Sequence, residues 1–457
     1  LENTHGIVVS DYNGAVSKTY EKTETIIDKS GTTKINYKGY QFKGARDSRT
    51  VGNATWGGRS VIGNTTTDNI VTLTGNYAGQ NVYGGWTSGT GSTATGTDAK
   101  NHSIGNKITF DNADGAVENM VGGVTASEGG NATDNHAVLK NGTVYQSLTG
   151  GSVGSNGGNT MRNIVNIDGG TVHQSVYGGY GSNTGKAKEN IVTLTSGTVN
   201  GAIFGGVTTS GEAVDNKVYI KGGSATNQDV YGGFSTNGDA PSNTVTVTGG
   251  SVRNVVGGKA LGDASGNTVT VGNVTVNSIT GGDGATTKNN TANIDGTMVT
   301  NKIVGGTKAD VTGNTLNVKG VNTAKNIEGF QKMHFDTTGA TGTMLTLNDG
   351  TNKTKVDWNK LTAGGNGQNI TLLKNNNGID FGSTYSGGAV KSGLSADKKS
   401  ETNVSVTADK KEIKYTGYQF TGVTGLGAAV GGNLYGGISK AGNATHHNNI
   451  TVNSNYD

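Results

Sequence analysis

The sequence predicts an all-β fold, a right-handed parallel β-helix (β-solenoid) with coils of roughly 24–28 residues. One phrase, NIVTLTSGTVNGAIFGG at residues 190–206, recurs along most of the chain. The first glycines of its Gly-Gly pairs stand 24 to 28 residues apart, with one interval of 38. Apolar and polar residues alternate within each copy, as in a strand with one buried face. A repeat of this length indicates coils stacked about 4.8 Å apart.

A single coil of this kind is too small to fold alone. Each coil offers about five inward apolar side chains, and burying one is worth roughly 2 kcal/mol. Ordering about 27 residues costs on the order of 40 kcal/mol. Stacked coils share a core and gain continuous backbone ladders, so we expect stability to belong to the array.

A column of asparagines follows the same period as the Gly pairs. It comprises Asn69, Asn106, Asn135, Asn163, Asn190, Asn216, Asn243, Asn267, Asn290 and Asn314. Side-chain amides at one corner of a solenoid can stack and hydrogen-bond along the axis. Asparagine also accepts a left-handed turn geometry. The pattern favours a structural ladder over a binding site.

The two positions before each Gly pair predict an inner and an outer column. The inner one is aliphatic: Val82, Met120, Leu148, Val176, Ile203, Val230, Val255, Ile279 and Ile303. The next position points outward and holds the candidate partner-binding residues Trp56, Tyr83, Tyr177, Phe204 and Tyr231. This outward aromatic column has two interpretations. It is a platform that binds sugars or an apolar partner, or it is packing between coils that stiffens the sheet.

The longest gap between a Gly pair and the next ladder asparagine predicts a protruding loop. It runs from residue 85 to residue 106 and contains the candidate contact residues Trp86, Lys100 and His102. Insertions in a solenoid fall on one corner, which is often the binding corner. The other interpretation is a tolerated insertion without a partner.

Five segments are predicted from the distribution of the repeats. Residues 1–38 are an N-terminal linker, 39–319 the coil stack, 320–380 its C-terminal closing segment, and 381–415 a second linker. Residues 416–457 look like the start of a second, truncated copy, because KINYKGYQF at 34–42 returns as KEIKYTGYQF at 411–420. Aligned on GYQF, the two motifs stand 417 − 39 = 378 residues apart.

Composition excludes several classes of function. The 457 residues include 80 Gly, one Pro and no Cys, with a net charge of +3 spread thinly. This charge indicates neither a nucleic-acid partner nor an anionic membrane surface. No apolar run is long enough to span a bilayer. The absence of Cys suits a chain exported unfolded.

No catalytic motif is present, and we do not expect an enzyme. Acidic residues are scattered, the seven histidines are isolated except His446 and His447, and no cofactor or metal motif occurs. Some parallel β-helices are polysaccharide lyases or hydrolases, which cluster acidic and basic residues on one face. That enzyme class is therefore the alternative.

The iterated NxVxLxGGxVxxxVYGG coils and the NIEGF segment at 326–330 resemble passenger regions of large autotransporter adhesins from Gram-negative anaerobes of the fusobacterial type. The resemblance covers nearly the whole chain. It implies a rigid, multivalent rod exported to the bacterial surface, with a barrel anchor outside this chain. The expected partners are a host surface protein, a glycan or sister passengers, and an inert stalk is the remaining possibility.

Overall fold

The computed structural model describes residues 17–27, 34–43, 54–60, 66–73, 81–87, 102–126, 129–154, 158–181, 184–307, 311–365, 367, 369–394 and 401–419. Apart from two short 3-10 helices, Trp358–Lys360 and Gly382–Thr384, the regular structure in these ranges is strand. Strands of successive coils pair in parallel, so the predicted parallel β-solenoid is confirmed. Its handedness stays a prediction.

The strands fall in chain order and are mostly short. The first are β1 (Ser17–Ile27), β2 (Lys34–Lys43), β3 (Ala54–Ser60), β4 (Thr66–Thr67), β5 (Ile70–Leu73), β6 (Asn81–Thr87), β7 (Ser103–Ile104), β8 (Lys107–Val117), β9 (Asn119–Thr125), β10 (Ala132–Thr133), β11 (His136–Val144), β12 (Leu148–Val153), β13 (Thr160–Met161), β14 (Ile164–Val172), β15 (Val176–Gly181), β16 (Ala187–Lys188), β17 (Ile191–Val199), β18 (Ile203–Thr208), β19 (Ala213–Val214), β20 (Lys217–Ile220), β21 (Ser224–Ser235), β22 (Thr244–Val247), β23 (Ser251–Ala260) and β24 (Thr268–Gly272). They continue with β25 (Thr275–Val276), β26 (Ser278–Asp283), β27 (Thr291–Asp295), β28 (Met298–Val299), β29 (Lys302–Gly306), β30 (Thr315–Lys319), β31 (Asn322–Ala324), β32 (Asn326–Glu328), β33 (Lys332–Asp336), β34 (Thr343–Leu347), β35 (Thr354–Lys355), β36 (Leu361–Gly364), β37 (Ile370–Asn375), β38 (Ile379–Asp380), β39 (Lys391–Leu394), β40 (Glu401–Val406) and β41 (Glu412–Gln419).

The chain divides into two units. The first comprises Leu1–Thr270, Ile279–Asn290 and Gly306–Val311, and the second comprises Val271–Ser278, Thr291–Gly305 and Thr312–Asp457. In the first unit, three parallel ladders run from coil to coil. They are β4-β7-β10-β13-β16-β19, then β5-β8-β11-β14-β17-β20-β22, then β3-β6-β9-β12-β15-β18-β21-β23.

The interior of the first unit is aliphatic. In the coil of residues 190–206, Val192, Leu194 and Ile203 are fully buried. Every member of the predicted inner column has 0% exposure, from Val82 in the first unit to Ile303 in the second. The alternation of inward and outward residues is therefore confirmed. The inward apolar side chains of each coil pack against those of the neighbouring coil.

The asparagine column forms a continuous hydrogen-bonded ladder in the first unit. At its centre, the backbone N–H and the Nδ2 of Asn163 donate to Oδ1 of Asn190 at 3.0 and 2.9 Å. Asn190 repeats both bonds to Asn216 at 3.0 Å. The backbone bond recurs from Asn69 through to Asn290, and all these side chains are buried. The predicted structural ladder is confirmed from Asn69 to Asn290. The backbone N–H of Asn314, the last predicted member, donates to Oε1 of Gln331 at 3.0 Å.

The left-handed turns of the coils occur one residue before the asparagines of the ladder. Positive φ angles between 52° and 59° are found at Asp68, Asp134, Arg162, Glu189, Asp215, Ser242 and Asn289. The turn is complete before the asparagine, because both the backbone N–H and the side-chain amide of that residue donate hydrogen bonds along the solenoid axis. Left-handed backbone at charged residues such as Arg162 is uncommon and carries strain.

Close contact with the next coil explains the Gly-Gly pair. A Cβ on Gly205 would overlap the carbonyl oxygen of Gly232 in the following coil. A Cβ on Gly206 would stand 2.6 Å from Cγ of the ladder residue Asn216. The first glycine is thus required by backbone packing and the second by the asparagine ladder.

The second unit continues the parallel pattern before its strands turn antiparallel. The ladders β27-β30-β33-β36 and β25-β28-β31-β34-β37 are parallel. β41 then pairs antiparallel with β37 on one edge and with β40 on the other, and β39 pairs with β40. Parallel coils therefore extend through the range 320–380 that was predicted as a closing segment.

Antiparallel hairpins occur in the two ranges that were predicted as linkers, 1–38 and 381–415. The range 1–38 contains β1 and the start of β2, which pair antiparallel. Strand β2 then joins the ladder that begins with β5, because Gln41, Phe42 and Lys43 pair with that strand. The range 381–415, predicted as a linker, contains β39, β40 and the start of β41. Of residues 416–457, only 416–419 are described, so the predicted second copy lies almost entirely outside the described residues.

Candidate functional site

The outward column before the Gly pairs brings three predicted aromatic residues together. Tyr177, Phe204 and Tyr231 stand in register on β15, β18 and β21. The rings of Tyr177 and Phe204 stack with centroids 5.3 Å apart and planes 6° apart. Phe204 and Tyr231 stack likewise at 5.0 Å and 7°. All three side chains are half-buried.

A second outward column, just after the Gly pairs, adds two aromatic residues that sequence reasoning missed. Tyr180 meets Tyr177 edge-on at 5.1 Å, and Phe234 meets both Phe204 and Tyr231 edge-on at 5.7 Å. These five residues form what we term the aromatic strip. The sequence did contain a signal for these two residues. The residue immediately before a Gly pair and the residue immediately after it lie on the same outward face.

A polar anchor fixes one end of the aromatic strip. The hydroxyl of Tyr231 donates to Oδ2 of Asp229 at 3.1 Å. Arg253 Nε and Asn254 Nδ2 both donate to Oδ1 of Asp229 at 2.8 Å. Burial, together with the neighbouring Asp229, raises the pKa of Tyr231 to about 12. Burial alone opposes ionisation of Asp229, but the hydrogen bonds outweigh it and lower the pKa of that carboxyl.

The orientation of the rings limits what the strip can bind. Because Tyr177, Phe204 and Tyr231 stack face to face, each ring covers a face of its neighbour. Stacking on a sugar needs an open ring face. The most exposed ring is Tyr180, with 39% of its surface accessible. The three stacked rings therefore have few open faces left for a sugar, which favours a protein partner over a pyranose ring.

A smaller aromatic cluster lies at the start of the same column. Trp56 and Tyr83 are in register on β3 and β6, and Trp86 follows the Gly pair at residues 84–85. The rings of Trp56 and Trp86 are 6.5 Å apart and tilted by 51°. Burial raises the pKa of Tyr83. Two buried small residues, Val121 and Thr149, occupy the column between this cluster and the strip, so the two are separate.

The loop candidates do not form a single site. Trp86 belongs to strand β6 rather than to the loop. His102 ties coils together, since its Nδ1 accepts from the backbone of Asn131 at 3.0 Å and its carbonyl accepts from Thr66. Lys100 lies outside the described residues. The described residues between 85 and 106 therefore contribute packing and hydrogen bonds to the coil stack.

A charged groove of about 610 Å³ lies on another corner of the first unit. Its floor includes Ile164 and Ile191, and its rim carries residues of the left-handed column. Arg162 is bound there to both carboxylate oxygens of Asp134 at 2.8 Å. Glu189 and Asp215 follow on the next two coils. The groove has no periodic signal in the sequence, because the residues at this corner alternate in charge and do not repeat one residue type.

Comparison of the chain with protein-family models, curated proteins and solved structures finds no match. In the part of the chain that the structure describes, no helix has the length and apolar character needed to cross a membrane. Within the same residues, no group of three or more His, Asp or Glu side chains is arranged to hold a metal ion. The fold itself defines the class: a parallel β-solenoid, which fits either a rigid rod or a β-helix enzyme.

Proposed function

We propose that this chain is part of a bacterial cell-surface adhesin, a rigid solenoid that attaches to a protein partner along the aromatic strip. The observation that carries the proposal is the strip itself. Five aromatic side chains from three successive coils form one partly exposed apolar band, which Val121 and Thr149 separate from the smaller cluster of Trp56, Tyr83 and Trp86. A contiguous apolar band on a protein surface commonly marks an interaction site.

The surroundings of the strip support a protein interface. Beyond Phe234 the next residue of the column is Lys259, which pairs with Asp283 at 3.5 Å. Arg253 and Asp229 form a second ion pair at 2.8 Å beside Tyr231. An aromatic centre with a charged rim is the usual composition of a protein–protein contact. Repetition along a rod would then sum weak contacts into firm attachment.

The experiment compares two exposed tyrosines on purified chains displayed on beads. Tyr180→Glu places a charge on the strip, and Tyr145→Glu is the matched control because Tyr145 is 47% exposed on a different corner. We expect Tyr180→Glu to weaken attachment at least about tenfold, equivalent to about 1.4 kcal/mol, and Tyr145→Glu to leave it unchanged. Normal attachment by the Tyr180 variant would refute the role of the strip.

The arms of the experiment separate the possible partners. Clumping of beads without any target would identify sister passengers as the partner. Attachment to host cells alone would identify a host surface protein, and attachment to immobilised host glycans would contradict the inference from the covered ring faces. Absence of clumping and of attachment would leave an inert stalk.

The charged groove supports a second candidate, a polysaccharide lyase or hydrolase. Glu189 and Asp215 lie on adjacent coils beside Lys217, so that carboxylates and an amine share one open groove. Paired carboxylates are the usual catalytic groups for cleaving glycosidic bonds. This candidate requires release of shorter chains from a panel of anionic polysaccharides, with loss of release in Glu189→Gln. No release by the unmodified chain would exclude it for that panel.

A further inference from the structure

The repeated GYQF motif has a structural role that can be seen at its C-terminal occurrence. In β41, Ile413 and Tyr415 are fully buried. The hydroxyl of Tyr415 donates to the carbonyl of Gly365 at 2.7 Å, and the backbone N–H of Gly417 donates to Gly367 at 2.8 Å. These contacts attach the motif to the last parallel coil.

Pairing with β37 completes this attachment. Ile370 is paired with Tyr415, Thr371 with Lys414, and Leu373 with Ile413, all antiparallel. A Cβ at Gly417 would stand 2.7 Å from the carbonyl oxygen of Gly365, so that position requires glycine. The motif therefore covers an edge of the stack that would otherwise present unpaired backbone groups.

The N-terminal occurrence repeats the residues that make these contacts. Aligned on GYQF, Ile35, Tyr37 and Gly39 stand at the positions of Ile413, Tyr415 and Gly417. Both occurrences are also the second strand of an antiparallel hairpin. Ile26 pairs with Ile35 in β1–β2, as Val406 pairs with Ile413 in β40–β41.

The two hairpins differ in what their other edge contacts. In β41 the edge opposite β40 is taken by β37 over Glu412–Tyr415. In β2 the edge opposite β1 pairs with β5 only from Gln41 to Lys43. Among the described strands, none pairs with the part of that edge at residues 34–37. This is the stretch that corresponds to the β37-binding part of β41.

We propose that the edge at residues 34–37 is a docking surface for a second copy of this chain, where it pairs antiparallel with strand β37 of that copy in place of the copy's own β41. The hairpin would then be a joint. One part of its edge covers the end of one coil stack, and the following residues, 41–43, begin the next stack through β5. This inference is independent of the proposed adhesive function, because it concerns only how copies join end to end.

Cysteine cross-linking in the full chain tests the proposed register, since the natural sequence has no Cys. Lys414 Nζ contacts Thr371 Oγ1 at 2.7 Å, and Asn36 stands at the position of Lys414. The test variant carries Asn36→Cys and Thr371→Cys, together with Ile413→Asp to release β37 from its own β41. We expect disulfide-linked oligomers on a non-reducing gel. The control replaces Asn36→Cys with Lys22→Cys, which lies on β1 and should give none.

Equal cross-linking of the control, or none with Asn36→Cys, would overturn the proposal. Should Ile413→Asp unfold the chain, a second variant decides. The substitutions Glu412→Lys, Lys414→Asn and Thr416→Lys write the N-terminal motif into β41. They remove the ion pairs of Glu412 with Lys374 and Lys414 and the hydrogen bond from Lys414 to Thr371, but they keep Ile413, Tyr415 and Gly417. We therefore expect a modest fall in melting temperature and exchange protection of β37 that persists. Loss of that protection would show that the motif does not fit β37.

Discussion

Replacing Asn190 by alanine removes the central rung of the asparagine ladder. Oδ1 of Asn190 accepts from the backbone N–H and from Nδ2 of Asn163, at 3.0 and 2.9 Å. Its Nδ2 donates to Asn216 Oδ1 at 3.0 Å and to the carbonyl of Thr160 at 3.1 Å. The variant therefore loses four hydrogen bonds at a site with no solvent exposure.

The expected cost follows from those four bonds. A net hydrogen bond contributes about 1 kcal/mol, and a buried donor left unpaired costs about 1–3 kcal/mol. The backbone N–H of Asn163 would be such a donor, whereas Nδ2 of Asn163 keeps its bond to Ala132. We expect the substitution to cost about 4 kcal/mol, which corresponds to amide exchange about a thousandfold faster in the affected coil.

Hydrogen exchange of the amides at 191–194 and urea unfolding measure this loss. The control is Asn166→Ala, because Asn166 sits one coil earlier on the outer face and makes a single bond at 3.1 Å to His136. That control should cost about 1 kcal/mol or less. Since coils contact mainly their neighbours, faster exchange should stay near the altered rung. Costs within about 1 kcal/mol of each other in the two variants would refute the ladder as the source of stability.

Three further predictions concern the glycines, the polar anchor and the loop. Gly206→Ala should cost about 2–4 kcal/mol in thermal unfolding, because its Cβ overlaps Asn216, whereas Gly364→Ala, whose Cβ meets open space, should cost little. The pKa of Asp229 is lowered in the fold, so its stabilisation is present above the unfolded value of about 3.9 and is lost as pH falls through the folded pKa. The stability difference between the natural chain and Arg253→Ala, measured in urea at pH 6, should therefore shrink by pH 2, and a constant difference would contradict the role of the pair. Deleting residues 88–100 should leave bead attachment unchanged if the aromatic strip carries it, and loss of attachment would assign binding to the loop instead.

Most of the repeating architecture could be predicted from the sequence. The inner column, the Gly pairs and the asparagine ladder all require the same residue at the same place in each coil. Asn190 illustrates the reason, because its buried side-chain amide donates to the equivalent asparagine of the next coil. Each coil therefore needs an asparagine at the same place, and this need produces a period in the sequence.

The candidate site was only partly predictable. The column of Tyr177, Phe204 and Tyr231 was visible as a period, but Tyr180 and Phe234 alternate with Val207 and carry no strict repeat. Their contribution depends on ring contacts across a Gly pair, which are set by side-chain direction and not by spacing alone.

The sequence by itself determined the class of fold, the phase of the coils and the residues that face inward, because stacking repeats the same buried environment in every coil. Only the tertiary structure decided where the left-handed corner falls, which ring faces are covered, and which strand edges the two GYQF hairpins occupy. These features depend on what lies one coil away in space, and the same residues in sequence can meet different neighbours there.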